Sequence, residues 1–126
     1  MLLTCIIIDE DPLSVDMLEY YISQTEGIRL IAKSAKATDI LSTISKSAPD
    51  IVFIDISISG IENLVFDDIF QKDIVYVFVT KYPYDYVLDV LPRQLANVGY
   101  LNKPVSFLLF KKEIGRIKDL HTSKLN

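Results

Sequence analysis

The sequence is poor in the residues that would indicate an extracellular, nucleic-acid-binding or membrane-embedded protein. Its single cysteine, Cys5, has no partner for an internal disulfide, which suits a reducing cytoplasm. The 13 basic residues are outnumbered by 17 acidic ones, so we expect no direct binding of nucleic acid by this chain. The apolar run from Met1 to Ile8 is too short to cross a membrane and lacks the basic flank of a signal peptide. A cytoplasmic protein without membrane contact is therefore expected.

The remaining composition is that of an ordinary globular domain. Half of the 126 residues are hydrophobic and 24% are charged, which is typical of such domains. A chain of this length fits one domain and can bury a core of its own without disulfides. We assign residues 1–120 to this domain and residues 121–126 to a polar tail or the start of a linker.

Short apolar runs alternate with segments of helical periodicity along the chain. The apolar runs are rich in β-branched residues, as expected for strands covered on both faces. The predicted strands are Cys5–Ile8, Ile28–Ala32, Ile51–Ile54, Ile74–Val79 and Val98–Leu101. Helices are predicted from Pro12 to Tyr21, from Thr38 or Asp39 to Ile44, from Leu64 to Phe70, from Tyr84 to Leu91, and after Ser106 to Leu120.

Strict alternation of strands and helices favours an α/β fold with a parallel sheet between two helical layers. Five such units in about 120 residues match the flavodoxin-like, doubly wound arrangement, with five helices and the strand order 2-1-3-4-5. In that arrangement ligands bind beyond the carboxyl ends of the strands. The residues that follow the predicted strands are therefore the candidates for function.

Acidic and basic side chains follow several of these strands. Asp9-Glu10-Asp11 follows the first strand, Asp55 the third, Thr80 ends the fourth, and Lys103 comes after the fifth. An acidic run before a proline is by itself most often a helix N-terminal cap. Carboxylates crowded together at one sheet edge would instead bind a hard divalent cation such as Mg²⁺. A carboxylate beside such a cation can act as a nucleophile towards phosphorus, with Lys and Thr as donors to the transferred group.

Taken together and in this order, the motifs resemble the receiver domains of bacterial response regulators, most closely those with a LytTR-type DNA-binding output domain. The resemblance covers nearly the whole chain. Its motifs are Ile-Ile-Ile-Asp-Glu-Asp-Pro-Leu at 6–13, Pro-Asp-Ile-Val-Phe-Ile-Asp-Ile at 49–56, Val-Phe-Val-Thr at 77–80 and Gly-Tyr-Leu-Asn-Lys-Pro-Val at 99–105.

The resemblance implies a phosphoacceptor and a metal site. Asp55 would accept the phosphoryl group. Asp9 and Glu10 would hold Mg²⁺ together with Asp55 and the backbone carbonyl of Ser57, with Glu10 the more direct ligand of the acidic pair.

The resemblance also implies a switch. Lys103, in a cis bond to Pro104, would contact the phosphoryl oxygens, and Thr80 would move towards them. Tyr100 would change its burial after that movement and so alter the surface of the domain.

By resemblance, the partner that supplies the phosphoryl group would be a sensor histidine kinase. The phosphorylated state would act through a protein-interaction surface, with a homodimer through the helix 4–strand 5–helix 5 face as one form of it. Transcription would be controlled by a DNA-binding domain outside this chain. The domain would not be an enzyme for other molecules, although it would catalyse its own phosphorylation and dephosphorylation.

Several residues depart from the family pattern. Ser59 stands where the family often has proline, Asn63 where it often has glycine, and Lys81 where a small residue usually follows the threonine. Asn63 would tolerate a left-handed backbone. Lys81 could restrict access to Asp55 or pair with a carboxylate. The segment 82–97 also looks longer than usual and contains Pro92.

These departures leave two alternatives open. The first is an interaction module that keeps the fold but no longer accepts a phosphoryl group. The second is a phosphatase similar to haloacid dehalogenases, because Asp9-Glu10-Asp11 also fits that family's Asp-x-Asp motif. Asp9, and not Asp55, would then be the nucleophile.

Overall fold

Strands and helices alternate along the chain in the computed structural model, which describes residues 1–63, 66–91 and 97–125. The strands are β1 (Leu3–Ile8), β2 (Ile28–Ser34), β3 (Ile51–Ile54), β4 (Val75–Thr80) and β5 (Val98–Asn102). The α-helices are α1 (Pro12–Ser23), α2 (Ile40–Ser47), α3 (Phe66–Ile69), α4 (Tyr84–Val90) and α5 (Phe107–Leu125). Short 3-10 turns lie at Ala37–Asp39 and Ile61–Asn63.

The five strands form one parallel sheet in the order β2-β1-β3-β4-β5. This confirms the predicted α/β class, the parallel sheet and its strand order. After β1 the chain forms β2 at one edge of the sheet. It then returns to the other side of β1, where β3, β4 and β5 follow in order. The carboxyl ends of β1 and β3 are therefore neighbours at the point where the strand order reverses.

A hydrophobic core lies on each face of the sheet. Because successive strand side chains point to opposite faces, Cys5 and Ile7 pack with α1 and α5, whereas Ile6 and Ile8 pack with α2, α3 and α4. The central strands β3 and β4 are buried along their whole length. These two cores explain why the strands read as continuous apolar runs.

Two helix starts carry the capping residues that the sequence indicates. The Asp11 carboxylate accepts the amide hydrogen of Leu13 at the start of α1, and the Ser106 hydroxyl accepts that of Leu109 at the start of α5. Helix α5 continues to Leu125, so the predicted polar tail from residue 121 is helical as far as that residue.

The third predicted helix differs most from the structure. Among the described residues, four α-helices have seven residues or more, and α3 is a single turn of four residues. The prediction of five helices, with a short third one, is therefore correct only in part. Leu64, where this helix was predicted to begin, and Pro92 lie outside the described residues. Asn63 ends a 3-10 turn, and the residue of this loop with a positive φ is Gly60, at 88°. No helix in the described ranges is long and apolar enough to cross a membrane.

Candidate functional site

Backbone hydrogen bonds that continue the sheet beyond its strands position the predicted site. The amide of Asp55 donates to the Ile8 carbonyl at 3.0 Å, which brings Asp55 beside Asp9. The amide of Lys103 donates to the Thr80 carbonyl at 2.9 Å, which fixes the chain where β5 ends. Ladder pairing thus gathers residues from three separate strand ends at one edge of the sheet.

Lys103 joins the two buried carboxylates of this edge. Its Nζ lies 2.7 Å from Asp55 Oδ2 and 2.9 Å from Asp9 Oδ2, and 3.7 Å from Asp11 Oδ2. Asp9 and Asp55 are each only 4% exposed, and the Lys103 side chain is 8% exposed. Such a water-poor setting strengthens each charge interaction and makes an unpaired charge costly. The bond from Lys103 to Pro104 is cis, as predicted.

The surroundings of Asp55 keep it ionised. Burial is the largest influence and would raise the pKa of Asp55, but hydrogen bonds from Lys103 and from the Ser57 amide outweigh it and lower this pKa below its ordinary value. The Ser57 amide lies 2.9 Å from Asp55 Oδ1. Burial likewise would lower the pKa of Lys103, but Asp55 and Asp9 together raise it. At neutral pH Asp55 is therefore a carboxylate anion and Lys103 an ammonium cation.

Asp9 retains an oxygen with incomplete hydrogen bonding. Its Oδ1 accepts the amide hydrogen of Asp11 at 2.9 Å. Its Oδ2 is buried and pairs with Lys103 Nζ at 2.9 Å, and no other partner of this oxygen lies among the described residues. Buried polar atoms nearly always have a partner. A carboxylate oxygen with spare lone pairs beside a second carboxylate is the donor chemistry that a hard divalent cation prefers.

Glu10 contacts a residue of another loop, Ser59. Its Oε1 accepts two hydrogen bonds from Ser59, one from the amide at 3.2 Å and one from the hydroxyl at 3.0 Å. Among the described residues, no three Asp, Glu, His or Cys side chains are gathered as a metal site would require. Asp9 and Asp55 thus share the contact with Lys103, whereas the hydrogen bonds of Glu10 come from Ser59. The Ser57 contact with Asp55 is through its amide.

Thr80 and Tyr100 are linked through the backbone of one residue between them. Thr80 is fully buried, and its hydroxyl accepts the amide hydrogen of Tyr82 at 3.3 Å. The Tyr100 hydroxyl donates to the carbonyl of the same residue, Tyr82. Within the described residues, no hydrogen bond joins Thr80 to Asp55. Tyr100 is half-buried and packs edge-on against Tyr84, with ring centroids 5.3 Å apart.

Asn102 was not among the predicted site residues, yet it makes three contacts in this region. Its amide nitrogen lies 2.8 Å from the Tyr100 hydroxyl, 3.2 Å from the Thr80 carbonyl and 3.4 Å from the Tyr82 carbonyl. The signal available in the sequence was its place between the predicted aromatic and lysine positions. That place alone does not reveal which way the side chain points.

Lys81 lies at the rim of the site. It is exposed and lines a cleft of about 500 Å³ together with Asp11, Leu13, Lys103 and Pro104. In the part of the chain that the structure describes, Lys81 forms no ion pair. The pairing with a carboxylate that we considered for it is therefore absent.

Known proteins resemble the chain in sequence and fold. No family model matches it. An uncharacterised response regulatory protein of Vibrio vulnificus is 33% identical over 92% of this chain and 48% of its own length. The sensory transduction protein LytT of Bacillus anthracis is 28% identical over 82% of this chain and 42% of its own length. The chain thus spans about half the length of the curated relatives that it matches.

Solved structures agree with these relatives at the level of the fold. The receiver domain of AraT, a response regulator from Geobacillus stearothermophilus, superposes with a TM-score of 0.81 and full coverage of both chains at 14% identity. The receiver domain of PhyR from Erythrobacter litoralis gives a TM-score of 0.72, covering 92% of this chain and 89% of its own, at 23% identity. Together with the named relatives, this confirms the family predicted from the motifs. The chain belongs to the receiver domains of response regulators, the CheY-like superfamily.

Proposed function

We propose that this receiver accepts a phosphoryl group on Asp55 from a sensor histidine kinase in the cytoplasm, with Mg²⁺ bound at the same site. The observation that carries the proposal is the bridge from Lys103 to two buried carboxylates at the switch point of the sheet. A structural ion pair would need only one carboxylate. The second carboxylate leaves the site with an excess negative charge that a divalent cation would balance.

The proposed chemistry is transfer of the phosphoryl group from a histidine to a carboxylate. An Asp55 oxygen forms a bond to phosphorus while the phosphorus–nitrogen bond of the donor breaks. The electron pair of that bond stays on the imidazole nitrogen, so a donor ring that is protonated at its other nitrogen leaves as neutral imidazole. The lowered pKa of Asp55 supports this role, because only the anion is a nucleophile.

Lys103 stabilises the charge that builds up on the transferred group. Its ammonium group pairs with Asp55 Oδ2 at 2.7 Å before the reaction. When Asp55 becomes an acyl phosphate, its negative charge passes to the phosphoryl oxygens. Lys103 would follow this charge over a short distance, so that little reorganisation is needed.

The residues that would hold Mg²⁺ are Asp9, Glu10, Asp55 and the carbonyl of Ser57. The buried Asp9 Oδ2 without a hydrogen bond supports this set, whereas Glu10 would have to turn from its contact with Ser59. The bound cation would supply positive charge that lets the anionic nucleophile and the phosphoryl group approach each other.

The switch would pass through the backbone of Tyr82. The Thr80 hydroxyl accepts the amide hydrogen of Tyr82 and keeps its own proton available for a phosphoryl oxygen. The Tyr82 carbonyl holds the Tyr100 hydroxyl. Movement of Thr80 towards Asp55 would therefore displace the residue to which Tyr100 is anchored, and the phosphorylated state would favour a different Tyr100 position.

The exposed surface around α4 would change when Tyr100 changes its position. Four large apolar or aromatic side chains of this region are exposed: Tyr82, Tyr84, Tyr86 and Leu88. Leu109 on α5 is also exposed, and it lines a surface cleft together with Asn102. A surface of this kind favours a protein partner. We propose that it serves either as a homodimer interface through α4, β5 and α5 or as a contact with an output domain that controls transcription.

Phosphorylation can be tested on the purified chain. Incubation with Mg²⁺ and acetyl phosphate should add one phosphoryl group, measured as the intact mass. Asp55→Asn should abolish the adduct, whereas Asp119→Asn, an equivalent change at an exposed carboxylate on α5, should leave it unchanged. Absence of an adduct on the wild type, or its persistence in Asp55→Asn, would refute Asp55 as the acceptor.

The same experiment bears on both alternatives. A receiver that no longer accepts a phosphoryl group would give no adduct and would keep its partner binding in Asp55→Ala. The exposed Lys81 at the rim, which forms no ion pair with the described residues, is the feature that favours this version. The relatives found are response regulatory proteins, which gives no support to a phosphatase with Asp9 as its nucleophile.

A further inference from the structure

We infer that Ser59 is a positioning residue that holds Glu10 away from the metal site and so weakens the binding of Mg²⁺. The inference rests on the proposed function, because it requires Glu10 to be a metal ligand. It assigns a role to the position at which this chain departs from the proline often found in the family. Removing the two hydrogen-bond donors of Ser59 should make Mg²⁺ bind more tightly.

The contact joins two loops that are distant in sequence. Glu10 lies just after β1, and Ser59 lies in the loop after β3, 49 residues further along. Both donors of Ser59, its amide and its hydroxyl, reach the same oxygen, Glu10 Oε1, at 3.2 and 3.0 Å. Hydrogen bonds to an ionised carboxylate are stronger than those between neutral groups. The two hydrogen bonds therefore hold the Glu10 carboxylate in one position.

These hydrogen bonds from Ser59 compete with the binding of a metal ion by Glu10. Asp9 and Asp55 are already gathered around Lys103, and Asp9 Oδ2 is buried without a hydrogen bond. Glu10 is the member of the predicted set that is missing, since the described residues contain no cluster of three such ligands. A cation beside Asp9 would attract the Glu10 carboxylate, in competition with the two hydrogen bonds that Ser59 donates to its Oε1. The cost of breaking them reduces the net affinity for the metal.

The identity of residue 59 decides whether this competition exists. Proline has neither an amide hydrogen nor a hydroxyl and could not hold Glu10 in this way. Alanine keeps the amide but loses the hydroxyl, and threonine keeps both donors. Ser59 is in an exposed turn, so these replacements test the hydrogen bonds without disturbing the core. The three replacements therefore vary the number of hydrogen-bond donors at residue 59, which is none for proline, one for alanine and two for threonine.

The first measurement is the Mg²⁺ dissociation constant of the unphosphorylated domain by isothermal titration calorimetry. Ser59→Ala should bind Mg²⁺ about three- to tenfold more tightly than the wild type, as expected for the loss of one competing hydrogen bond. Ser59→Pro should bind at least as tightly as Ser59→Ala, and Ser59→Thr should restore wild-type affinity. Ser42→Ala removes a hydroxyl on α2 that, within the described residues, donates to the Asp39 carbonyl, and it should leave the affinity for Mg²⁺ unchanged. Unchanged or weaker binding in Ser59→Ala would overturn the inference.

The second measurement follows the hydrogen bond itself. In the metal-free domain, the amide proton of Ser59 should shift upfield in Glu10→Ala and, in the wild type, on saturation with Mg²⁺. If Mg²⁺ binds while this proton keeps its metal-free shift, Glu10 retains its contact with Ser59 and the inference fails, although the metal site stands. If neither the wild type nor Ser59→Ala binds Mg²⁺, the metal site of the proposed function fails, and the inference fails with it.

Discussion

Replacement of Lys103 by methionine is expected to reverse the pH dependence of the contribution that Asp55 makes to the domain's stability. Methionine keeps most of the apolar stem of lysine but removes the ammonium group. In the wild type this group lies 2.7 Å from Asp55 and 2.9 Å from Asp9. The variant would leave two carboxylates, each 4% exposed, facing each other without their shared cation.

The sign follows from the pKa of Asp55 in the two proteins. In the wild type this pKa is lowered on folding, so its contribution to stability is present above the unfolded pKa and is lost as the pH falls through the folded one. In the variant, burial and the charge of Asp9 are no longer opposed by Lys103, so the pKa of Asp55 rises above its unfolded value. Its contribution is then present at low pH and is lost as the pH rises through the folded pKa.

The magnitude at neutral pH comes from leaving a buried charge without its partner. Removing one member of a buried ion pair costs about 3–5 kcal/mol, and we expect about 3 kcal/mol because protonation of one carboxylate relieves part of the repulsion. At acid pH the loss should be smaller, because protonation of one carboxylate removes the repulsion. A domain with about 5–15 kcal/mol of stability remains folded under both conditions.

Urea unfolding at a series of pH values provides the assay, followed by far-ultraviolet circular dichroism because the chain has no tryptophan. Lys72→Met, a change at an exposed lysine, serves as the control and should stay within about 0.5 kcal/mol of the wild type. Added Mg²⁺ should restore part of the stability of Lys103→Met at neutral pH. If the stability lost in Lys103→Met relative to the wild type did not become smaller from neutral to acid pH, Lys103 would not be the group that neutralises these carboxylates.

Three further predictions concern other parts of the fold. Tyr76→Phe should destabilise the domain by about 1–3 kcal/mol in urea unfolding, because the buried hydroxyl donates to the Ile69 carbonyl at 2.8 Å; a loss below about 0.3 kcal/mol would contradict this. Burial raises the pKa of the Cys5 thiol to about 12, so a thiol reagent should label it only as fast as the domain unfolds, and rapid labelling of the folded domain would count against that burial. Asn102→Ala should broaden or shift the ring resonances of Tyr100, whose hydroxyl it contacts at 2.8 Å, and an unchanged spectrum would mean that Asn102 does not restrain this ring.

The sheet and the position of the site could be predicted because both depend on backbone pairing. A buried parallel strand needs a continuous apolar run, so the first polar residue after each run marks the sheet edge. Asp9 and Asp55 were recognised in this way, and Lys103 lies one residue further, after Asn102; the ladder brings the three together as expected. Parallel pairing over the full strand length leaves little freedom in where these residues lie.

Features that depend on side-chain rotamers or on helix length could not be predicted in the same way. Glu10 can turn in several directions after β1, and the donors of Ser59 decide which one it takes. The polar residues after Leu120 carry no apolar period, yet they continue α5, where the Thr122 hydroxyl bonds the Lys118 carbonyl at 3.0 Å. A polar segment attached to a stable helix needs no apolar face of its own to stay helical.

The shared position of Lys103 explains why a lysine and a divalent cation would both be needed at one small site. Lys103 serves Asp55 and Asp9 at the same time. In the proposed reaction it would move with the charge to the phosphoryl group, and Asp9 would then be a buried carboxylate without a partner, which is strongly unfavourable. A cation held by Asp9 removes that cost. Lys103 and Mg²⁺ would therefore neutralise different charges, and neither could replace the other once Asp55 carries a phosphoryl group.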